Sequence, residues 1–230
     1  MTTSNKELLA EIQRQQALLQ ARLNEEQHNL NMLAKRLWAQ QESEKAKLSR
    51  ELHDGVGQLL TGLTRRLQTL SSTQPELYDL AQLAEMALSD VRQLSRLMSP
   101  TILDDLGLVP AIKWLCRSLF EHESCKYECE FDCPLPIPQD ISILIFRIVQ
   151  EALVNIIKHA DASQAKIMLS CHHQTIRLDI IDNGVGFEHK GIEKGIGLNS
   201  MKDRAQAFNA DLIIYSKIDK GSRVTLTVQI

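Results

Sequence analysis

The 230-residue sequence has no proline before Pro75 and no glycine before Gly55. Proline and glycine are the residues that most disfavour a helix interior, so their absence favours a long N-terminal helix. The sequence also lacks an apolar run of about 18 residues, the length that suggests a membrane-spanning helix. Its best candidate, residues 141–149, is short and contains Arg147. We therefore expect no membrane segment in this chain.

The sequence has no excess of basic residues either. Its formal net charge is -3 at pH 7, without the positive surface that nucleic acids require, so we expect no direct nucleic acid binding. The N-terminus, M-T-T-S-N-K-E-L-L-A-E, is polar and acidic, unlike a secretory signal. Hydrophobic residues make up 43% and charged residues 24%, as in ordinary globular proteins. We therefore expect a soluble, intracellular protein.

Four of the five cysteines lie between residues 116 and 133, a cluster that could bind a metal. However, C-K-Y-E-C-E-F-D-C (125–133) alternates strictly, with cysteine or aromatic residues at odd positions and charged residues between them. That period of two predicts a half-buried strand, on which residues four apart are separated by roughly 13 Å. Metal ligands must converge on one ion, so buried structural cysteines are favoured over a metal site.

Leucine spacing predicts two long N-terminal helices. Steps of three and four residues from Leu9 to Leu37 give nine positions, of which seven are apolar, and a similar stripe resumes from Leu52 to Leu70, as in a coiled-coil seam. S-S-T-Q-P (71–75) ends this helix, and a second amphipathic helix occupies residues 77–98. Two helices alone bury little apolar surface, so pairing of two chains into a four-helix bundle would cover both stripes. The prediction is a parallel coiled coil that leads into a dimeric helical hairpin.

The rest of the chain mixes helices and strands. We predict helices near residues 108–122, 140–159 and 198–208, and strands near 125–133, 164–171, 175–182, 211–217 and 222–229. This order is typical of an α+β sandwich, in which helices cover one face of a sheet.

The helix R-I-V-Q-E-A-L-V-N-I-I-K-H-A (147–160) places four polar residues on one face, because Glu151, Asn155, Lys158 and His159 are spaced i, i+4, i+7 and i+8. Such a face can simply be solvated. Its mixture of a carboxylate, an amide, an ammonium and an imidazole is nevertheless suited to a magnesium–phosphate group.

Two glycine-containing segments follow this helix. In T-I-R-L-D-I-I-D-N-G-V-G-F (175–187), the period of two places Asp182 on the inward face of the strand. An inward carboxylate needs a hydrogen-bonding partner, for which an adenine amino group is suitable; a strand-ending Asp in a turn is the simpler alternative. Gly184 and Gly186 would let the backbone approach that ligand.

The second segment, K-G-I-G-L-N-S-M-K-D-R-A (194–205), places Gly195, Gly197 and Leu198 where a helix begins. The N–H groups of a helix N-terminus can bind an anion, and the polar loop before it is typical of a mobile lid. Neither a Walker A loop nor a Rossmann fingerprint is present.

The stretch E-L-H-D-G-V-G-Q-L-L (51–60) is unusual because two glycines interrupt a leucine stripe, at about 1 kcal/mol each in a helix interior. His53 directly follows a seam leucine, which turns it about 100° toward the bundle surface. Asp54 can hold one imidazole tautomer and accept its proton. Gln58 lies four residues after Asp54, on the same helix face, and can orient a water molecule. A solvated surface histidine is the alternative.

Taken together, these motifs resemble those of the sensor histidine kinases of two-component systems, in the nitrate-sensor-like subgroup. E-A-L-V-N-I-I-K-H-A is similar to the N box of the GHKL ATPase fold, and D-N-G-V-G-F and K-G-I-G-L-N-S-M are similar to its two glycine boxes. E-L-H-D-G-V-G-Q is similar to the phosphoacceptor box with an H-D-x-x-x-Q signature, and S-P-T-I-L-D-D-L-G-L to the link between the two domains. A distinct phenylalanine box is absent, as in this subgroup.

This resemblance runs from about residue 40 to residue 230 and implies three regions. Residues 1–40 would form a coiled coil or signal-input helix, residues 41–103 the dimerisation and histidine phosphotransfer domain, and residues 104–230 the ATP-binding GHKL domain.

The resemblance also implies a role for each polar candidate. Asn155 would coordinate Mg²⁺ bridging the ATP phosphates, with Glu151 near the metal. Lys158 and His159 would contact phosphate oxygens, and Asp182 would accept the adenine amino group.

Other residues would complete the pocket. Ser222 would assist the aspartate through water, and four glycines would shape the pocket and its lid: Gly184, Gly186, Gly195 and Gly197. Leu198, Met201 and Arg204 would border the nucleotide.

The implied function is a homodimeric, ATP-dependent histidine kinase, which would be a cytoplasmic protein or the cytoplasmic portion of a membrane sensor. ATP would phosphorylate His53, which would pass the phosphoryl group to an aspartate of a response regulator receiver domain with a helix-turn-helix output. Gln58 would serve the reverse dephosphorylation of that partner. Two alternatives stay open: a GHKL serine kinase or ATP-driven clamp, and a non-catalytic coiled-coil signalling scaffold with a vestigial pocket.

Overall fold

The computed structural model describes residues 2–98, 101–134, 136–188 and 196–229. The predicted N-terminal helix is present, but it is not continuous α-helix. α1 (Thr2–Glu51) passes into a six-residue π-helical turn (Leu52–Gly57) and then into α2 (Gln58–Ser71). The turn holds both glycines, which favour the α-helix least, and π-helical turns occur frequently at functional sites. The predicted helix therefore changes its hydrogen-bonding pattern at the unusual stretch that contains His53.

A single 3₁₀ turn, Pro75–Leu77, reverses the chain into α3 (Tyr78–Met98). Hydroxyl groups join α1 to α3, because Ser49 Oγ donates to the Ser95 carbonyl at 2.8 Å and Ser95 Oγ donates to the Ser49 carbonyl at 2.9 Å. Ala84 of the predicted seams is buried, but many seam residues of the three helices remain exposed in the single chain: Ile12, Leu19, Leu23, Leu30, Leu33, Leu37, Leu59, Leu63, Leu70, Leu80, Leu83 and Leu94. Contiguous exposed apolar surface of this kind marks an interaction surface.

The α+β sandwich is confirmed, with boundaries close to those predicted. After α4 (Thr101–Leu106), the elements are α5 (Leu108–Phe120), β1 (Lys126–Asp132), α6 (Gln139–Asn155) with a π-helical turn (Ile156–Ala160), β2 (Gln164–His172), β3 (Thr175–Asp182), α7 (Ile196–Ala207), β4 (Asp211–Ser216) and β5 (Ser222–Gln229). The sheet order is β1-β2-β3-β5-β4. Only the β1–β2 pair is parallel among these four pairings.

One face of the sheet packs under α5, α6 and α7 to form a single hydrophobic core. In β3, Ile176, Leu178 and Ile180 are at most 1% exposed, as the period of two predicts. Asp179 points to the opposite face, where its carboxylate accepts hydrogen bonds from Arg177 and Thr225 at 2.7 and 2.6 Å. The alternation of β3 therefore separates an apolar face from a polar one.

The cysteine-rich segment is a strand, as predicted. Cys125, Cys129 and Cys133 share its half-buried, core-facing side. Within the described parts of the chain, no three His, Cys, Asp or Glu residues are grouped so that they could hold a metal ion. Cys133 forms a disulfide with Cys171 of β2, a pairing that the sequence did not predict.

The helix α1 also packs against the sheet domain, which the sequence did not predict. Trp38 is 9% exposed and contacts Phe208 edge-to-face, with ring centroids 5.0 Å apart. Lys35 Nζ lies 2.7 Å from a carboxylate oxygen of Asp140. The core of the sheet domain is thus extended by one side chain from the N-terminal helix.

Across the described residues, no helix is both long and apolar enough to cross a membrane.

Candidate functional site

The described part of the sheet domain contains a cavity with a volume of about 600 Å³. It lies between α6 with its π-helical turn, the strands β3, β4 and β5, and the start of α7. Its lining includes the following predicted site residues: Glu151, Asn155, Lys158, His159, Asp182, Gly186, Gly197, Leu198, Met201 and Ser222. The structure thus brings together side chains from three separate sequence motifs.

The polar face of α6 opens into this cavity. Glu151 and Asn155 are partly buried near the end of the helix, and Lys158 and His159 are exposed on the π-helical turn that follows. Asp161, with a positive φ of 47°, ends the turn. The carboxylate and amide oxygens therefore lie deeper than the two cationic or titratable side chains.

Asp182 is the deepest charged group of the cavity and is 5% exposed. One carboxylate oxygen accepts a hydrogen bond from the backbone N–H of Gly184 at 2.8 Å, and the other accepts a short one from the Ser222 hydroxyl. Ser222 thus contacts the aspartate directly. Each oxygen keeps acceptor capacity for a further donor.

The first glycine segment needs glycine because the backbone packs closely there. A Cβ on Gly184 would collide with the Ala160 carbonyl, and the neighbouring Val185 N–H donates to that same carbonyl at 2.7 Å. Gly186 has a φ of 61°, where L side chains are disfavoured. Asn183 directly follows β3, and its side-chain oxygen accepts hydrogen bonds from the backbone N–H groups of residues 163 and 164. These hydrogen bonds and close backbone contacts hold the segment in place beside Asp182.

The second glycine segment meets α6 at the mouth of the cavity. A Cβ on Gly197 would collide with the Glu151 carboxylate, so glycine allows α7 to begin against that side chain. Met201 is fully buried and lines the cavity. Gly195 lies outside the described residues. Arg204 is not among the lining residues of the cavity; burial lowers its pKa, and Glu42 of α1 opposes that shift.

Sequence reasoning missed the apolar wall of the cavity. Ile180, Ile214 and Val224 line it from the sheet, with Phe187 at the edge. The alternation of β3 indicated that Ile180 faces inward, but it could not show that part of the inward face borders a cavity. These apolar side chains and the Asp182 carboxylate line the same cavity.

His53 lies on the hairpin and not among the lining residues of the cavity. Its side chain is 63% exposed, and its Nδ1 atom lies 3.1 Å from a carboxylate oxygen of Asp54, which is 68% exposed. Gln58, the first residue of α2, is exposed one turn further on. The accessible imidazole predicted from the sequence is present, and its Nε2 edge is left for another partner.

Comparison with known proteins agrees with both halves of this arrangement. Residues 140–230 match the family model of histidine kinase-, DNA gyrase B- and HSP90-like ATPases, and residues 44–103 match a histidine kinase family model. The chain belongs to the histidine kinases.

Two curated histidine kinases illustrate the relationship. The chain is 34% identical over 221 residues to the oxygen sensor histidine kinase NreB of Staphylococcus carnosus. The aligned region covers 92% of the chain and 63% of the relative. It is 30% identical over 201 residues to the histidine-protein kinase/phosphatase DegS of Brevibacillus brevis, covering 83% of the chain and 52% of the relative. The chain thus spans between about half and two thirds of these relatives.

Solved histidine kinase structures share the fold. The histidine kinase domain of the blue-light activated histidine kinase of Erythrobacter litoralis EL346 superposes with a TM-score of 0.51 at 16% identity, covering 82% of this chain and 93% of that one. A second structure of the same kinase gives a TM-score of 0.50 at 19% identity, covering 70% and 62%. At these identities the likeness concerns the fold alone.

Proposed function

We propose that the chain is an ATP-dependent, autophosphorylating protein-histidine kinase of a two-component system. The observation that supports this most is the combination in one chain of an exposed His53–Asp54 pair and a cavity built around a buried carboxylate, Asp182. We further propose the division of the chain into a signal-input helix (1–40), a phosphotransfer domain (41–103) and an ATP-binding domain (104–230).

Asp182 would recognise the adenine ring. Its carboxylate can accept the exocyclic amino group of adenine while the backbone of Gly184 and the Ser222 hydroxyl hold it in place. The apolar wall beside it suits the faces of a flat base. Guanine carries a carbonyl oxygen at the corresponding position, so a carboxylate there would disfavour it.

The polar face of α6 would hold the phosphates. Oxygen ligands are those that Mg²⁺ prefers, and Asn155 and Glu151 bring an amide and a carboxylate oxygen to the same wall of the cavity. When bound, Mg²⁺ would offset negative charge on the triphosphate. Lys158 and His159, at the exposed rim, would contact phosphate oxygens, and the glycines at 184, 186, 195 and 197, with Leu198, would form the pocket and lid.

The Asp54 contact prepares His53 for attack. If the Nδ1–H group donates to Asp54, the neutral imidazole presents its lone pair at Nε2. A bond then forms between Nε2 and the γ-phosphorus, the bond from that phosphorus to the β–γ bridging oxygen breaks, and ADP leaves. Asp54 accepts the Nδ1 proton. Positioning and electrostatics supply most of the rate enhancement in such transfers.

The exposed leucines support a homodimer. The rows on α1, α2 and α3 would be covered by the same rows of a second copy, as in a four-helix bundle. The phosphoryl group would then pass from His53 to an aspartate of a response regulator receiver domain with a helix-turn-helix output, and Gln58 would orient water for the reverse dephosphorylation.

The chemical stability of the protein-bound phosphate tests this proposal. Incubation with Mg·ATP labelled at the γ-phosphate should give a label that is lost in acid and survives alkali, as expected for a phosphoramidate. An acid-stable label would indicate a serine kinase instead. Mg·ATP binding without any label would indicate a clamp, and absence of binding would indicate a scaffold.

A further inference from the structure

Two free cysteines face each other across the boundary between a helix and the edge of the sheet. Cys116 is fully buried on α5, and Cys129 is half-buried on β1, the edge strand. Their sulfur atoms lie 3.8 Å apart. A disulfide requires a separation of about 2.05 Å, so closing the pair needs a displacement of roughly 1.8 Å shared between two side chains.

We propose that Cys116 and Cys129 form a reversible dithiol–disulfide pair that hydroperoxides oxidise. The chemistry depends on the two thiols and not on the proposed kinase activity.

The surroundings give the two cysteines different roles. A hydrogen bond with the Cys116 thiol and the nearby charge of Lys113 lower the pKa of Cys129, against the opposing effect of burial. The same contact with Cys129, together with burial, raises the pKa of Cys116. The thiolate is the nucleophilic form of cysteine. Cys129, which is the more exposed of the two and lies near the positive charge of Lys113, is therefore the attacking residue, and the fully buried Cys116 is the resolving residue.

The reaction proceeds in two balanced steps. The Cys129 thiolate attacks one oxygen of hydrogen peroxide, the O–O bond breaks, and after protonation of the leaving oxygen the products are a Cys129 sulfenic acid and water. The Cys116 sulfur then attacks the Cys129 sulfur, displacing the hydroxyl group as a second water with the Cys116 proton. Two thiols are oxidised, and one peroxide is reduced.

The bond would join α5 to β1 close to the helical hairpin. Ser118, two residues after Cys116, accepts hydrogen bonds from the Gln93 side chain of α3 at its hydroxyl (3.0 Å) and its carbonyl (3.4 Å). A disulfide that moves α5 would therefore change the hydrogen bonds between Gln93 of the hairpin and Ser118 of the sheet domain.

The chain contains a matched control. Cys125, which directly precedes β1, lies on the same side of the segment. Burial raises its pKa, however, and its sulfur contacts the Lys126 carbonyl at 3.7 Å. Cys133 is already bonded to Cys171. Cleavage at Arg117, Lys126 and Glu130 separates all four cysteines between residues 116 and 133, so each pairing can be scored alone.

The test exposes the full-length protein to stoichiometric hydrogen peroxide, blocks remaining thiols with N-ethylmaleimide and maps the digest by non-reducing mass spectrometry. A Cys116–Cys129 linked peptide should appear and be lost on treatment with dithiothreitol. It should persist in Cys125→Ser and be absent from Cys129→Ser. Cys116→Ser should instead accumulate a Cys129 sulfenic acid that dimedone captures.

The results that would contradict the proposal are measured on wild-type protein, so they do not depend on whether any variant folds. The proposal is wrong if Cys125 is oxidised as fast as Cys129, or if peroxide produces no Cys116–Cys129 link. Circular dichroism before and after treatment shows that the reacting protein is folded.

Discussion

Arg147 of α6 and Glu42 of α1, 105 residues apart in the sequence, form a buried ion pair with Nη2 and Oε2 2.6 Å apart. The Arg147 side chain is 4% exposed and that of Glu42 is 8% exposed. The same guanidinium donates to the carbonyls of Leu97 and Met98 at 3.0 and 2.7 Å, where α3 ends. One side chain thus connects the N-terminal helix, the hairpin and the helix that carries the proposed phosphate site.

This ion pair makes Glu42→Gln strongly destabilising, because it leaves a buried guanidinium without its counter-charge. We expect the free energy of unfolding to fall by about 3 kcal/mol, measured by urea denaturation at one fixed protein concentration. Glu44→Gln, on an exposed position of the same helix, should change it by less than about 0.5 kcal/mol. Equal effects of the two substitutions would show that α1 does not pack on the sheet domain in solution.

Asp179 should contribute stability that depends on pH. Burial alone would raise its pKa, but hydrogen bonds from Arg177, Thr225 and Arg223 outweigh burial and lower it. A lowered pKa in the folded state means that the contribution is present above about pH 4, the value for an unfolded Asp, and is lost as the pH falls through the lowered pKa.

Asp179→Asn should therefore reduce the free energy of unfolding at pH 7 by about 1–2 kcal/mol. This is at or below the lower end of the range of about 1.5–3 kcal/mol for hydrogen bonds to charged groups, because the two arginine partners are about half exposed. The loss should shrink below pH 4. Asp211→Asn, an exposed control at the start of β4, should show neither effect. A deficit that stays constant with pH would mean that the ionised carboxylate is not what stabilises the fold.

Asp182→Asn should weaken ADP binding. The substitution replaces one acceptor oxygen with an amide NH₂ group, which cannot accept the adenine amino group. A hydrogen bond to a charged group contributes about 1.5–3 kcal/mol, so calorimetry should give an affinity roughly 10- to 100-fold lower. Ser222→Ala, which removes only the supporting hydroxyl, should lose less. Unchanged affinity in folded Asp182→Asn protein would place the adenine elsewhere.

Gly184→Ala should destabilise the sheet domain, because its Cβ would collide with the Ala160 carbonyl. If residues 160 and 184 move apart, the hydrogen bond from the Val185 N–H to the Ala160 carbonyl breaks. If they do not, the backbone is strained. Either change should lower the melting temperature. Gly62→Ala is the matched control, since its Cβ would meet nothing within 4 Å and it lies inside α2. We expect that variant to melt at or above the wild-type temperature. Similar losses in both would contradict the close approach at Gly184.

Local periodicity was sufficient to predict most of the fold. The period of two placed Asp182 inward, and helical spacing placed Glu151 and Asn155 on one face; both arrangements are present around the cavity. These properties depend only on neighbouring residues in one element, which is why a sequence pattern shows them.

The unpredicted features join residues far apart in the sequence. Arg147 was noted only as a charge in an apolar segment, yet its partner lies on α1. Cys129 was correctly placed on the half-buried side of a strand, but nothing in that alternation identifies Cys116 as its neighbour. The π-helical turn at His53 was missed because glycine lowers helix propensity without specifying which other conformation replaces the α-helix.

Labelling of His53 tests the central claim most directly. The full-length protein should incorporate phosphate from Mg·[γ-³²P]ATP, and His53→Gln should incorporate none while binding Mg·ATP with unchanged affinity by calorimetry. Because His53 is exposed and does not line the cavity, its substitution should leave the nucleotide site intact. Persistent labelling of His53→Gln would contradict the assignment of this residue as the phosphate acceptor.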